Sequence, residues 1–182
     1  MIKTQQVIEE IYNQTKDIKT YITTGVGNHQ MMSSQFYKWK YPKTMITSGS
    51  LGTMGFGVPS AIGVQSACLN DLVICIDGDG SFMMTPGDLA TIYEHNLPIK
   101  IFIMNDRRQQ MVHIWQKLFF KGRYISTDNL NPDFNILSDA FFIDNIVCDN
   151  EEDMKSAIEL ALEHPGPVLV NCIVEPDMCI PL

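Results

Sequence analysis

LVICIDGDGS, residues 72 to 81, is an apolar run that ends abruptly in acids and glycines. The run from Leu72 to Ile76 predicts a buried strand, and Asp77 to Ser81 place carboxylates and glycines directly at its end. Glycines let the backbone approach an anion closely, and carboxylates can bind a hard cation. This stretch therefore predicts a strand that delivers a polar site to one edge of a sheet.

The rest of the chain repeats this alternation of apolar strands and helices. Further strands are predicted in YITTGVG, TMITSGS, IKIFIMND and PVLVNCIVE, and helices in residues 4–16, 133–142 and 151–163, in VPSAIGVQSACL and in QMVHIWQKLFF. In TPGDLATIYEHN, Thr85 as the N-cap and Pro86 at the first helical position predict the start of one more helix. Nearly continuous apolar strands that alternate with helices indicate a parallel sheet covered on both faces. We therefore predict one domain over residues 1–182, with a doubly wound α/β fold, a mostly parallel sheet of about six strands and helices on both faces.

Composition limits the class of protein. The chain has 182 residues, 45% of them hydrophobic and 19% charged, which is typical of a folded globular domain. A formal net charge of −8 argues against binding to nucleic acid or to an anionic membrane surface. No apolar stretch is long enough to span a membrane, and the N-terminus lacks the apolar core of a signal peptide. The five cysteines, Cys179 among them, show no metal-type pairing. We expect free thiols and a cytoplasmic location.

Three predicted strands end in polar or glycine-rich segments, at residues 25–30, 77–81 and 105–110. In a doubly wound sheet, ligands bind beyond the carboxyl ends of the strands, where these segments should converge. Asp106 lies 27 residues after Asp79, which is enough for a helix and a return strand. Oxygen ligands from the two strand ends, together with phosphate oxygens, would complete an octahedral magnesium site.

Two other interpretations of the acidic loop are weaker. An EF-hand calcium loop would need glycine where Phe82 stands, and a glutamate at its twelfth position, which is absent. A haloacid-dehalogenase-like phosphatase would use Asp77 as nucleophile and Asp79 as acid and base. That family also needs a later acidic pair for magnesium, and the LATI that follows Gly87 and Asp88 does not supply it.

The chain as a whole resembles the C-terminal, thiamine diphosphate-binding domain of the acetolactate (acetohydroxyacid) synthase catalytic subunit. The resemblance is carried by GDGS, by GVGNHQMMSSQFYKWKYPKTMITSGSLGTMGFGVPSAIG and by NDRRQQMVHIWQKLFFKGRY. These motifs stand in the family's order and spacing, from IKTQQVIEEIY to PGPVLVNCIVE. The resemblance implies thiamine diphosphate and Mg²⁺ as cofactors.

The resemblance also implies roles for single residues around the diphosphate and the metal. Asp79 and Asp106 would bind Mg²⁺ through their side chains and Arg108 through its backbone carbonyl. The implied cofactor-binding residues on the diphosphate side are Asn28, His29, Gly78, Gly80 and Ser81. The alternative for His29 is a surface histidine at a helix start, and we favour the site.

Four more residues would contact the rest of the cofactor or the substrate. Gly52 and Met54 would meet the aminopyrimidine ring through backbone groups, and the Met54 side chain would hold the cofactor bent. Met111 would face the active site, and Trp115 would favour a larger second 2-ketoacid. The spacing of Met111 and Trp115 by itself favours two residues that face a core, and only the resemblance assigns them to the site.

The sequence departs from the family pattern at two positions. Asp106 stands where the family usually has asparagine, which adds a negative charge beside the diphosphate. Gln110 stands where the family usually has glycine, which could crowd the substrate. Both substitutions put full catalytic competence in question.

The activity implied by the resemblance is that of a transferase in branched-chain amino acid biosynthesis. It decarboxylates pyruvate and transfers the two-carbon unit to a second 2-ketoacid. In the family, the glutamate that activates the cofactor belongs to an N-terminal domain that this sequence does not contain. We therefore expect no catalytic residue of its own, and partners that include a glutamate-bearing N-terminal-type domain or a full-length homologue, and a homo-oligomer. The alternative is a non-catalytic relic that binds cofactor or docks onto an enzyme.

Overall fold

Six strands and eight α-helices alternate along the chain, and a computed structural model describes residues 2–176. The strands are β1 Thr20–Thr24, β2 Met45–Thr47, β3 Leu72–Gly78, β4 Lys100–Asn105, β5 Asp144–Cys148 and β6 Val168–Ile173. The helices are α1 Thr4–Thr15, α2 Asn28–Phe36, α3 Gly57–Ala67, α4 Asp79–Phe82, α5 Leu89–Glu94, α6 Gln110–Phe119, α7 Phe134–Ala140 and α8 Glu151–Glu163. The strands form one sheet in the order β2-β1-β3-β4-β6-β5, and every neighbouring pair is parallel. The predicted α/β class and the six-stranded sheet are confirmed.

The sheet separates two hydrophobic cores. On one face, Ile74 and Ile76 of β3 pack with buried residues of α1, α2 and α8. On the other face, Val73 and Cys75 of the same strand pack with buried residues of α3, α5 and α7. Successive strand residues point to opposite faces, so an unbroken apolar run is what a strand between two helical layers requires. The prediction of helices on both faces is confirmed.

The direction of winding reverses at β1. The chain passes from β1 outward to β2, then returns to place β3 on the other side of β1. The strands are in register near their carboxyl ends, where Thr24 pairs with Ile76 and Gly78 pairs with Met104. This reversal opens a crevice between the loops that follow β1 and β3, which is where ligands bind in sheets of this kind.

Helix starts were predicted with unequal success. The predicted helix over residues 151–163 coincides with α8, and the side chain of Asn150 caps it by accepting from the Asp153 amide at 2.9 Å. Thr85 occupies the N-cap position and Pro86 begins the helical turn, as predicted, but the Thr85 side chain does not cap it. Its hydroxyl donates instead to the Gly55 carbonyl at 2.9 Å, and a short 3-10 turn precedes α5. The Thr85 hydroxyl therefore bonds to a loop that is distant in sequence, and not to the amides of the helix that follows it.

The expectations from composition concern thiols and membranes. Cys68, Cys75, Cys148 and Cys172 are free, as expected, and Cys179 lies outside the described residues. Between residues 2 and 176, the structure contains no helix with the length and apolar character needed to cross a membrane.

Candidate functional site

A cleft of about 200 Å³ lies at the carboxyl edge of the sheet, between the loops that follow β1, β3 and β4. Its wall includes eleven of the twelve residues predicted for the site: Asn28, His29, Gly52, Met54, Gly78, Asp79, Gly80, Ser81, Asp106, Arg108 and Met111. Trp115 is not part of the wall. Segments separated by 20 to 50 residues in sequence thus meet at one edge, because parallel strands bring their carboxyl ends together.

Two carboxylates face this cleft from neighbouring strand ends. Asp79 begins α4 directly after β3, and Asp106 follows β4. Burial raises the pKa of Asp79 above its ordinary value, although hydrogen bonds from Asn131 and Asn129 oppose the shift. Burial, and then the negative charge of Asp79, raise the pKa of Asp106 to about 7. Two like charges in a partly desolvated cleft favour the binding of a cation beside them.

The loop after β4 is bonded to a second segment of the chain, residues 127–129. The Gln109 amide donates to the Thr127 carbonyl at 2.7 Å, and the Asn129 amide donates to the Arg107 carbonyl at 2.8 Å. These two bonds use atoms on either side of Arg108, so its own carbonyl takes no part in them. The role implied for that carbonyl, as a ligand of a cation, stays a prediction.

The carboxylate of Asp79 is held by side-chain amides that the sequence analysis missed. Nδ2 of Asn131 donates to Oδ2 of Asp79 at 2.6 Å, and Nδ2 of Asn129 donates to the same oxygen at 3.2 Å. Nδ2 of Asn131 also donates to Oδ1 of Asn105 at 3.0 Å, and Asn105 donates to Asn171 at 3.0 Å. The polar run TDNLNPD was a signal for these residues, but its distance of about 50 positions from Asp79 concealed the contact.

Asp77, the first acid of the loop, has a different environment from Asp79. It is completely buried, and its Oδ1 accepts from the Gly78 amide at 2.9 Å. A Cβ at Gly25 would lie 1.7 Å from Oδ1 of Asp77, and one at Gly57 would lie 2.5 Å from Oδ2. The two glycines, which sequence reasoning also missed, therefore enclose this carboxylate. An enclosed carboxylate cannot attack a phosphate ester, which removes the nucleophile that the phosphatase interpretation needs.

His29 lies inside the protein at the start of α2. Its Nε2 is 3.4 Å from Oδ1 of Asp77, and its imidazole packs over Gly78, where a Cβ would lie 2.6 Å from Nδ1. The alternative of a surface histidine is therefore wrong. Glycine is required at position 78 because a rigid ring occupies the space of any side chain.

Ser81 joins three of the loops around the cleft. Its hydroxyl oxygen accepts from the Gly55 amide at 3.0 Å and from the Val26 amide at 3.4 Å. With two bonds accepted, the hydroxyl still has one proton to donate. Ser81 thus fixes the loop after β1 and the loop that carries Gly52 and Met54, and both of these residues lie on the cleft wall.

The helix after the β4 loop turns one face to solvent. Met111 and Val112 line the cleft, whereas Trp115 is 54% exposed and packs against Phe119, with ring centroids 4.9 Å apart. Leu118 and Phe120 are also more than half exposed. Gln110, the residue in place of glycine, is buried and lines the cleft at the start of α6. The role of Trp115 toward a substrate stays a prediction.

The residues of the cleft are better suited to Mg²⁺ bound together with a diphosphate than to a metal ion bound by protein ligands alone. Among residues 2–176, no cluster of three or more His, Cys, Asp or Glu side chains could hold a metal ion. Two carboxylates and a carbonyl supply only part of an octahedral shell, which is how Mg²⁺ is bound when phosphate oxygens and water supply the rest. At these two glycines the space of a Cβ is taken by the imidazole of His29 at position 78 and by the end of the Gln109 side chain at position 80.

Comparisons with known proteins agree with this geometry. Residues 25–172 match the sequence model of the family described as "Thiamine pyrophosphate enzyme, C-terminal TPP binding domain". Acetolactate synthase, mitochondrial, of Schizosaccharomyces pombe is 47% identical over 176 residues, which are 96% of this chain and 26% of that protein. The acetolactate synthase catalytic subunit, mitochondrial, of Saccharomyces cerevisiae is 42% identical over 183 aligned positions, covering 100% of this chain and 26% of that protein. The acetolactate synthase isozyme 2 large subunit of Escherichia coli is 43% identical over 155 residues, with 85% and 28% covered. The chain thus spans about a quarter of the length of these relatives.

Proposed function

This chain belongs to the acetolactate synthase family of thiamine pyrophosphate enzymes, and we propose that its cleft holds thiamine diphosphate through Mg²⁺. The observation that carries the proposal is the convergence of Asp79 and Asp106 at neighbouring strand ends, beside a loop with glycine at positions 78 and 80. A diphosphate and a divalent cation together match this combination of carboxylates and a glycine loop at a strand end.

The proposal assigns a separate binding role to several residues of the cleft. Asp79, Asp106 and the carbonyl of Arg108 would hold Mg²⁺, which would neutralise the charge of the diphosphate. The hydroxyl of Ser81 retains a proton to donate, and His29 lies on the neighbouring wall. Met54 also lines the cleft and would support the aminopyrimidine end. When bound, the cofactor supplies a carbon nucleophile for the carbonyl group of a 2-ketoacid.

We propose pyruvate as the first substrate and a second 2-ketoacid as the acceptor, as expected for an acetolactate synthase, in branched-chain amino acid biosynthesis. Within the described residues, no glutamate lines the cleft. A cofactor that needs an activating glutamate must therefore receive it from another domain or chain. The exposed apolar side chains of α6, next to the cleft wall, provide a surface that such a domain or a full-length homologue could cover. We further propose a homo-oligomer and a cytoplasmic location.

A second candidate is cofactor binding without turnover. It is favoured by Gln110, whose side chain takes up space on the cleft wall where the family usually has glycine. Turnover in the presence of a glutamate-bearing N-terminal domain separates the two candidates, because a non-catalytic binding protein stays inactive when the glutamate is supplied.

Isothermal titration of thiamine diphosphate, with Mg²⁺ and then with a chelator, tests the proposed site. We expect weak binding that requires Mg²⁺, because this chain offers only one side of the cofactor site. Asp79→Asn keeps the shape of the side chain and should weaken the binding about tenfold or more. Asp17→Asn, an exposed position before β1 at the other edge of the sheet, is the matched control and should bind as the wild type. Equal binding after chelation, or none at saturating cofactor, would contradict the proposal.

A further inference from the structure

The two amides that hold Asp79 are part of a network whose orientation is fixed. A carboxylate oxygen only accepts hydrogen bonds, so Asn131 must present its NH₂ group to Oδ2 of Asp79. The same group donates to Oδ1 of Asn105, and this leaves Nδ2 of Asn105 to donate to Asn171. Asn105 and Asn171 are buried. Such a network has one consistent arrangement, so it holds Asn131 in a single orientation.

Both ends of the Asn131–Asp79 contact are also fixed by the fold. Asn131 precedes Pro132, which restricts its backbone to an extended conformation before α7. Phe134 in the first turn of α7 is fully buried, and its ring packs edge-to-face on Phe82 with centroids 5.6 Å apart. Phe82 is the last residue of α4, the helix that begins with Asp79. The two short helices that carry the contact are therefore packed against each other.

We propose that Asn131 is a positioning residue of the metal site, which aims the carboxylate of Asp79 at the cation. Oδ2 of Asp79 already accepts two amide N–H groups, so coordination of the metal falls to Oδ1. The bond from Asn131 is short, at 2.6 Å, and its acceptor is a carboxylate, the kind of acceptor that forms the stronger hydrogen bonds. Asn129, at 3.2 Å, supports the same oxygen more weakly. This inference rests on the proposed magnesium and thiamine diphosphate site.

The same contact could instead oppose metal binding. Removal of the amides would then change the Mg²⁺ affinity in the opposite direction. If the amides merely occupied the metal's place, the cation would have to displace them, and their removal would strengthen metal binding. A positioning role requires that their removal weakens it, since the carboxylate would then sample other orientations before the metal binds. The direction of the change in affinity separates the two roles.

The test measures Mg²⁺ affinity by titration in saturating thiamine diphosphate, for wild type, Asn131→Ala and Asn135→Ala. Asn135 belongs to the far end of the amide network, where it accepts from Asn171 at 3.3 Å, and it is the matched control. We expect Asn131→Ala to weaken Mg²⁺ binding about 10- to 100-fold, the range for residues that orient a metal ligand, and Asn135→Ala to leave it unchanged. Electron paramagnetic resonance of Mn²⁺ bound in place of Mg²⁺ should show broadened lines in Asn131→Ala only.

Asn129→Ala keeps the test decisive if Asn131→Ala does not fold, and it should weaken binding in the same direction by a smaller factor. Unchanged or tighter Mg²⁺ binding by these variants, alongside normal binding by the wild type, overturns the positioning role alone. A wild-type chain that binds neither Mg²⁺ nor cofactor overturns the proposed function, and the positioning role with it.

Discussion

Substitution of Asp106 by asparagine should make the metal-free protein more stable and the protein less responsive to magnesium. The change keeps the shape of the side chain and the oxygen that accepts from the Arg108 amide at 3.0 Å. It removes the carboxylate charge that burial and the neighbouring Asp79 make unfavourable. The wild type, by contrast, keeps two carboxylates together until a cation neutralises them.

The size of the effect follows from the pKa of Asp106, which rises from 3.8 to about 7 in the folded protein. A raised carboxyl pKa means that the folded state binds more protons than the unfolded state between these two values. Stability therefore falls as the pH rises from about 4 to 7, and the loss is complete above 7. The difference between the two pKa values corresponds to about 4 kcal/mol. At about 2–4 °C per kcal/mol for a chain of this size, metal-free Asp106→Asn should melt on the order of 10 °C higher than the wild type above pH 7.

Thermal unfolding, with and without Mg²⁺ and thiamine diphosphate, checks this expectation. Above pH 7 the ligand-induced rise in melting temperature should be larger for the wild type than for Asp106→Asn, because binding also relieves the repulsion. Near pH 4 the metal-free difference between the two proteins should disappear. Asp17→Asn, the exposed control, should behave as the wild type at every pH. An equal magnesium-induced shift in wild type and Asp106→Asn would show that Asp106 is not a ligand.

Three further predictions concern packing, association and activity. Gly78→Ala should lower the free energy of unfolding in urea by about 1–3 kcal/mol, because its Cβ would lie 2.6 Å from a ring atom of His29. Gly63 lies in α3, and no atom lies within 4 Å of a Cβ added there, so Gly63→Ala should instead stabilise the protein by up to about 1 kcal/mol. Equal effects at the two positions would refute the steric argument. Trp115→Lys, on the exposed apolar face of α6, should reduce self-association or binding to a full-length homologue in sedimentation experiments, and an unchanged association would move the interface elsewhere. The purified chain, saturated with cofactor and magnesium, should form no acetolactate from pyruvate, and a glutamate-bearing N-terminal domain should restore some activity; robust turnover by the chain alone would require a general acid within it.

Much of the fold could be predicted because its signals are local in sequence. The apolar run Leu72 to Ile76 must be covered on both faces, since its alternate residues pack into different cores. The predicted helix over residues 151–163 coincides with α8, whose start depends on a local bond from the Asp153 amide to the side chain of Asn150. Thr85 shows the limit of such local reasoning. Its hydroxyl bonds the Gly55 carbonyl 30 residues away, which no pattern near Thr85 indicates.

The sequence by itself determined the class of fold and the edge of the sheet where the polar loops meet. These follow from periodicity and from glycine and aspartate at strand ends, which depend on neighbouring residues. The tertiary structure alone decided that Asp77 is enclosed while Asp79 faces the cleft, and that Asn131 holds Asp79 from 52 positions away. It also decided that Trp115 is exposed outside the cleft wall. The physical reason is that strand order and the packing of distant loops depend on burial and hydrogen bonding summed over the whole chain, which no local spacing encodes.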